Sequence, residues 1–259
     1  MSNRNLIIGI GFLVIIILGG VWLYNWVLGE TEAASGPISA PTLELDATLT
    51  EPQAAIPTVA TSEPTLVAGT VEDQAEAISQ GGGVVVFKIL QDDSRVQFNI
   101  FEELRGEPTD VIGVSNQIAG EVAVDLSDLS FTQVGMIQIN ARTLQTDSDR
   151  RDQAIRNRIL NTDQYEFITF TPTEVSGLSG EAEQGETINF QIVGELTIRE
   201  ITQQAVFDVT AYLESDNRIV GNAEAVINRS DYNLIIPNVP FVANVGEEVV
   251  LEIDFVLVV

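Results

Sequence analysis

The sequence predicts a mostly β protein, either a closed antiparallel barrel or a two-layer sandwich, with one short helix. Within residues 84–259, short segments alternate apolar and polar residues and are separated by glycine and polar clusters, as strands are. A single stretch, residues 149–160, instead places Ile155 and Ile159 four apart on one helical face. Many strands in succession without helices between them are typical of antiparallel barrels and sandwiches.

The predicted strands alternate with short turns. A turn is expected at residues 92–94, and a loop at residues 102–110, where Gly106 and Pro108 interrupt the pattern. Asp147 or Ser148 is the predicted N-cap of the helix, which should cover one face or end of the sheet. The predicted strands are 84–90, 95–101, 111–125, 131–143, 167–175, 187–198, 203–213, 219–229 and 248–258.

The N-terminal region predicts a membrane anchor. Leu6–Leu28 is an apolar run, about 34 Å long as a helix, which is enough to span a hydrocarbon core. Residues 1–29 are therefore predicted to be a transmembrane helix; the alternative is a signal peptide cleaved near residues 32–35. Arg4 precedes the run and the next basic residue is Lys88, which predicts a cytoplasmic N-terminus and an extracytoplasmic remainder at the cell membrane.

Residues 30–83 are predicted to be a flexible linker. They are rich in Pro, Thr and Glu and contain no basic residue. Such a composition cannot bury enough apolar surface to offset the entropy lost on ordering. The chain thus divides into an anchor, a linker and a β domain of residues 84–259.

Composition excludes several functions. The net charge of −26 disfavours nucleic-acid binding, because a polyanion repels phosphates. The absence of His and Cys excludes Ser-His-Asp and Cys-His catalysis and thiolate metal sites. A hydrolase that uses two carboxylates stays open by residue type, but no spacing marks out a pair. We predict no catalytic residue, no metal and no cofactor, and the sequence specifies no oligomeric state.

Alternation also indicates which side chains face inward. Several inward faces mix bulky side chains with small ones, as in Gly221, Ala223 and Ala225, and small inward residues can leave a barrel hollow. The alternative is that they fit the taper of a solid barrel. The candidate cavity-lining residues are Phe98, Ile100, Ile137, Ile139, Phe170, Phe190, Ile192, Phe207, Val209, Ala223, Ala225 and Phe255.

A series of short motifs in order resembles the YceI-like family, small lipid- and polyisoprenoid-binding proteins with a lipocalin-like barrel. The resemblance covers residues 84–259 and implies about eight strands around an elongated apolar tunnel for an isoprenoid or acyl chain. The motifs are Gly120–Asp125, Thr143–Thr146, Arg151-Asp152, Tyr165 followed by Ile168–Phe170, Gly194–Ile198 followed by Thr202, and Ile227–Tyr232.

Contacts to a polar head group at the barrel mouth are predicted from the arginine cluster of the helix, the strongest positive patch of the acidic chain, and from the family motif at residues 229–231. The candidates are Arg151, Asp152, Arg229 and Asp231. The alternatives are a solvated helix face for the first two and a structural strand end for the others. The resulting hypothesis is a non-enzymatic, membrane-tethered protein that holds an apolar lipid in its barrel. The competing hypothesis is a β-sandwich interaction or adhesion module displayed on a stalk.

Overall fold

Residues 31–44 and 83–259 are described by the computed structural model. Their regular elements are strands and one short helix, α1 (Asp149–Ala154). The strands are β1 Val84–Ile89, β2 Arg95–Leu104, β3 Glu107–Ser115, β4 Ile118–Ala119, β5 Glu121–Asp125, β6 Gln133–Val134, β7 Ile137–Asn140, β8 Phe167–Ser176, β9 Thr187–Ile198, β10 Ile201–Ser215, β11 Arg218–Asn228, β12 Val242–Ala243 and β13 Glu248–Val258.

The strands form one curled antiparallel sheet, a half-barrel. Its main path runs β4-β7-β8-β9-β10-β11-β13-β1-β5-β6. Gly120 alone separates β4 from β5, so the two ends of this path meet there. The first part of β13 pairs with β2 and its last residues pair with β1. The predicted mostly β, antiparallel fold with one short helix is confirmed, and the two-layer sandwich is not the architecture found.

The half-barrel has two different ends. The helix end carries α1 and residues 229–247, which join β11 to β13. The loop end carries residues 126–132 and 177–186 and the β10–β11 turn at residues 216–217. The residues predicted to form the site are divided between these two ends.

Each end has its own apolar core. At the helix end, Ile155 and Leu160 pack with Ala225 and Tyr232 in a large cluster of buried side chains. At the loop end, a smaller cluster is built around Phe87, which is fully buried. The outward-facing residues between these side chains are mostly polar, as the alternation of the strands predicts.

The segment predicted as a loop, residues 102–110, is instead a tight hairpin. β2 continues to Leu104 and β3 begins at Glu107, so only Arg105 and Gly106 form the turn. Both have positive φ, 57° and 87°, as a type I′ turn requires. Pro108 is tolerated because, in the described sheet, β3 pairs only with β2.

The helix is shorter than the predicted 149–160. α1 passes into a π-helical turn, Ile155–Ile159, in which the Leu160 N–H donates to the Ile155 carbonyl at 2.8 Å. This wider turn inserts one extra residue per turn and leaves both Ile155 and Leu160 buried in the core. Spacing alone could not distinguish a π turn from a regular one.

The small inward residues make room for aromatic rings. A Cβ at Gly194 would lie 2.6 Å from the Phe170 ring, and one at Gly221 would lie 2.5 Å from the Phe255 ring. Each ring therefore lies across the backbone of the neighbouring strand, a known way of stabilising glycine within a sheet. The prediction that Gly221 contributes to a hollow interior is wrong in this respect, because Phe255 fills that space.

Residues 31–44 lie against the sheet as an extended segment, here called the strap. It belongs to the region predicted as a flexible linker, yet Ile38 is buried and the segment is bonded along its length. Its contacts run from the helix end toward β5. The main ones are Glu32 N–H to Asp163 Oδ1 at 2.9 Å, Ser35 to Glu166, Gln91 Nε2 to the Ile38 carbonyl at 2.8 Å, and Leu43 N–H to Glu121 Oε2 at 2.9 Å.

The predicted anchor, residues 1–29, and residues 45–82 of the predicted linker lie outside the described residues. Within the strap and residues 83–259, no helix has the length and apolar character needed to cross a membrane.

Tyr232 is the largest fully buried side chain described, and its hydroxyl has no hydrogen-bond partner among the described residues. Burial, together with the charge of Asp231, raises its pKa to about 12. The folded state therefore retains the phenol proton between pH 10 and 12, where the unfolded chain releases it. The resulting stabilisation, at most about 2.7 kcal/mol, is complete below pH 10 and is lost as the pH rises toward 12.

We expect Tyr232→Phe to leave stability at pH 8 unchanged or to raise it by about 1 kcal/mol, because it removes an unpaired buried hydroxyl. Urea unfolding at pH 8 and pH 11 would measure both effects. The wild-type chain should lose more stability than the variant between these two values. An equal loss in both proteins would contradict the assignment to Tyr232.

Candidate ligand cavity

An apolar cavity of about 130 Å³ lies inside the sheet, on the side of the loop end. It is bordered by the second half of β10, the first half of β11 and the last part of β13. Of the residues predicted to line a cavity, those that do so are Ile137, Phe170, Phe190, Ile192, Phe207, Val209, Ala223 and Phe255.

Four residues predicted to line the cavity lie elsewhere. Phe98, Ile100 and Ala225 belong to the packed core of the helix end. Ile139 pairs with Ile118 and Ile168 and does not border the cavity. The cavity thus lies toward the loop end, and these four residues lie outside it, although the predicted residues that do line it pack in the same apolar cluster as Ala225.

The loop end contributes residues that the strand pattern did not identify. Leu126 and Leu129 come from the segment after β5, and Leu178 and Ala182 come from the segment between β8 and β9. Loop residues have no fixed period, so alternation gives no signal for them. Other lining residues not predicted are Ile89, Ile118, Val122, Val124, Thr132, Val134, Ile188, Ala211, Tyr212, Leu213, Ile219, Ile253 and Leu257.

Hydrogen bonds tie the two loop-end segments together over the cavity. The Leu129 N–H donates to the Gly180 carbonyl at 2.7 Å, and the Ala182 N–H donates to the Leu126 carbonyl at 2.8 Å. Among the lining residues, only Thr132 and Tyr212 carry polar side chains. The Thr132 hydroxyl oxygen is buried without a hydrogen-bond partner in the described residues. The cavity thus offers apolar contacts and very few polar ones.

The predicted head-group residue Arg151 is at the helix end, away from the cavity. It forms ion pairs with Glu102, at 3.1 Å, and with Asp147. Its neighbour Asp152 is buried and accepts hydrogen bonds from the Thr146 N–H at 2.8 Å and hydroxyl at 2.6 Å. These bonds fix the start of α1, which is a structural role.

Arg229 and Asp231 are also at the helix end. Arg229 donates from Nε to the Gly246 carbonyl at 2.9 Å and pairs with Glu247 at 3.1 Å. Asp231 accepts from the Asn228 side chain at 3.3 Å. Because β11 runs from the cavity to these residues, its whole length separates them from the loop end.

Arg142 and Glu166 form the most connected polar cluster, under the strap. The Arg142 side chain is 8% exposed and donates to the Ala33 and Thr162 carbonyls, both at 2.9 Å. It pairs with Glu166 at 3.3 Å and with Glu32 at 2.9 Å. This cluster is not part of the cavity and holds the strap in place.

The Glu166 carboxylate is stabilised by its surroundings. Burial would raise its pKa, but the Ser35 hydroxyl and backbone N–H, the Asn140 side chain and the Arg142 charge together hold the pKa below its ordinary value. The Ser35 N–H donates at 2.6 Å and the Asn140 amide at 2.8 Å. The charged form is therefore favoured by the strap itself.

No group of three or more acidic side chains in the described residues could hold a metal ion. The chain contains no His or Cys. The apolar wall of the cavity suits an apolar molecule, which it would hold by shape and burial.

A comparison with protein-family models matches residues 87–257 to the YceI-like domain. Two solved structures are similar. A polyisoprenoid binding domain from Saccharophagus degradans shares 13% identity with a TM-score of 0.53, covering 66% of this chain and 97% of that one. Burkholderia cenocepacia BcnA shares 16% identity with a TM-score of 0.50, covering 65% and 98%. No curated protein matches the chain.

Proposed function

The chain belongs to the YceI-like family, and we propose that its barrel binds an apolar lipid, an isoprenoid or acyl chain, without catalysing a reaction. The observation that carries this proposal is the cavity at the loop end, whose wall is almost entirely apolar. Burial of a hydrocarbon there is favourable by about 25 cal/mol for each Å² removed from water. The similar Saccharophagus degradans structure is described as a polyisoprenoid binding domain, which supports the choice of ligand class.

The size of the cavity limits how the lipid is held. A volume of about 130 Å³ is close to that of an apolar cavity of about 150 Å³ that holds benzene. It accepts one short section of a chain. A longer section requires the two loop-end segments to separate, which breaks the bonds from Leu129 to Gly180 and from Ala182 to Leu126. Two such bonds contribute about 1–3 kcal/mol together, so the burial of a lipid chain can offset their loss.

Thr132 is one of the two polar residues that line the cavity, and its hydroxyl oxygen is buried. It carries no charge, and neither does any other lining side chain. Because transfer of an ionised group into such surroundings is costly, the part of the ligand inside the cavity is uncharged. We therefore propose that any charged head group of the ligand stays outside the cavity.

The proposal includes an extracytoplasmic, membrane-tethered location. The support is the apolar run Leu6–Leu28, with Arg4 before it and no further basic residue until Lys88. Tethering would keep the domain close to the membrane and raise its local concentration there.

Native mass spectrometry of the full chain, purified from membranes in detergent, tests the lipid proposal. The expected result is an added mass that organic extraction removes and that fragments as an isoprenoid or acyl lipid. The matched control is Ala223→Phe, whose ring would occupy the cavity and which should carry no added mass. A wild-type chain without added mass, which also takes up no lipid on mixing, would refute the proposal.

Protease added to intact spheroplasts tests the location. On a denaturing gel, the chain should be cut to a fragment close in size to residues 83–259, because the β domain and the segment before it face the protease. A chain that stays intact until the membrane is permeabilised would show the opposite orientation.

A further inference from the structure

One surface of the helix end is apolar, exposed and uncharged. Residues 233–246, between the turn after β11 and the start of β13, contain no charged residue, in a chain with a net charge of −26. Within this segment Ile235 is 68% exposed, Val239 42% and Phe241 74%. These three side chains are here called the apolar rim. Exposed large apolar side chains grouped in one segment mark an interaction surface.

The backbone keeps Phe241 exposed. Its φ is +73°, a conformation that an aromatic residue rarely adopts and that costs roughly 1–3 kcal/mol. Its carbonyl accepts a hydrogen bond from the Arg105 N–H at 2.7 Å, and the adjacent Val242 pairs with Leu104 of β2. The ring is thus directed to solvent by a segment fixed to the sheet.

A basic side chain stands beside the rim. Arg105 is exposed in the β2–β3 turn and takes part in none of the ion pairs of the described residues. Phe241 and Arg105 border the same surface concavity together with Glu103, whose carboxylate accepts a hydrogen bond from the Asn244 side chain at 2.6 Å. Apolar side chains next to an available guanidinium match the surface of a bilayer, where hydrocarbon lies just below phosphate groups.

The strap begins at this same end. Its first contacts join Glu32 to Asp163 and Arg142, which flank the start of β8 and the end of β7. The predicted membrane span ends at Leu28, three residues before the first described residue, Thr31. If the predicted span lies in the bilayer, three residues at about 3.5 Å each would keep Thr31 within roughly 10 Å of it.

We infer that the apolar rim inserts into the surface of the lipid bilayer, with Arg105 at a lipid phosphate, and that the helix end faces the membrane. The inference rests on the proposed tether for the nearness of the bilayer, and on the rim for the contact itself. The overall negative charge favours a zwitterionic bilayer over an anionic one. The cavity at the loop end then faces away from the bilayer.

The chain has no Cys, so a single introduced thiol can carry a fluorophore. The full chain is reconstituted into phosphatidylcholine vesicles, some containing lipid with a nitroxide on its chain. The two variants are Val239→Cys, in the rim, and Asp216→Cys, in the exposed β10–β11 turn at the loop end. The nitroxide should quench the label at position 239 and leave the label at position 216 unaffected. Adding Phe241→Glu to Val239→Cys should reduce this quenching while the thermal unfolding midpoint stays close to that of Val239→Cys.

Other results would overturn the inference. A chain that floats with the vesicles but whose position 239 label is not quenched refutes rim contact and leaves the tether standing. Equal quenching at positions 216 and 239 refutes the orientation. Self-quenching between labelled copies, independent of nitroxide, would show that a second copy covers the rim instead. A chain that does not float refutes both the tether and the rim contact, whereas lipid in the cavity is measured separately by mass spectrometry.

Discussion

Ala223→Phe is expected to weaken lipid binding roughly tenfold or more while the domain stays folded. Ala223 pairs with Val209 on β10 and Ile253 on β13, and all three line the cavity. The added ring occupies space that the ligand would otherwise use. Loss of only about 60 Å² of buried ligand surface costs about 1.5 kcal/mol, so affinity should fall roughly tenfold or more. Retention of a fluorescent fatty-acid analogue and the thermal unfolding midpoint are measured together.

Ala225→Phe is the matched control, because Ala225 lies two residues further along β11 and faces the same way. It pairs with Leu251 and is buried in the packed core of the helix end. The ring has no space there, and overpacking typically costs 1–3 kcal/mol. The control should therefore lose stability and keep its ligand at temperatures where it is folded. If both variants lost stability and ligand equally, the placement of Ala225 outside the cavity would be wrong.

Arg142→Met is expected to destabilise the domain by about 3–5 kcal/mol, which is the usual cost of removing one partner of a buried ion pair. The substitution leaves the largely buried Glu166 carboxylate without its cation and removes the donors to the Ala33 and Thr162 carbonyls. The strap should detach, so limited proteolysis near residues 31–44 should accelerate along with the loss of stability. Urea unfolding at pH 7 measures the free energy.

Ser35→Ala is the milder control, since it removes one hydroxyl donor to Glu166 and leaves Arg142 in place. It should cost about 1 kcal/mol.

Because the folded pKa of Glu166 lies below its ordinary value, the stabilisation is present above about pH 4.5 and is lost as the pH falls through the folded pKa. The difference between wild type and Arg142→Met should shrink in acid. A difference below about 1 kcal/mol at pH 7 would mean that the cluster does not hold the strap.

The strands and about a third of the residues of the cavity wall could be predicted from the sequence, because alternation is a local property. Phe190 and Ile192, or Phe207 and Val209, point to one side wherever their strand lies. Alternation does not show how far along the barrel the hollow part extends. Ala223 and Ala225 share a face, yet only the first borders the cavity.

The strap and the polar residues show what the sequence could not predict. Residues 31–44 have the composition of a linker, and their order depends on Arg142 and Glu166, more than one hundred residues away. Likewise, Arg151 and Arg229 carry the charge that a phosphate group would need. Only the structure shows that Arg151 forms an ion pair with Glu102 and that Arg229 forms one with Glu247.

The strap also determines how the proposed tether would transmit force to the β domain. Leu43 is fixed to Glu121 and the chain re-enters the domain at β1, so residues 45–82 leave and rejoin the same rigid body. A pulling force applied at the N-terminal side of the strap would therefore be borne first by the strap contacts and the Arg142 cluster. Lengthening residues 45–82 would not change the distance between the strap and the rest of the domain. The entropic cost of closing this loop grows only with the logarithm of its length. If the proposed tether is present, a second domain inserted within residues 45–82 should leave the distance between the β domain and the membrane unchanged.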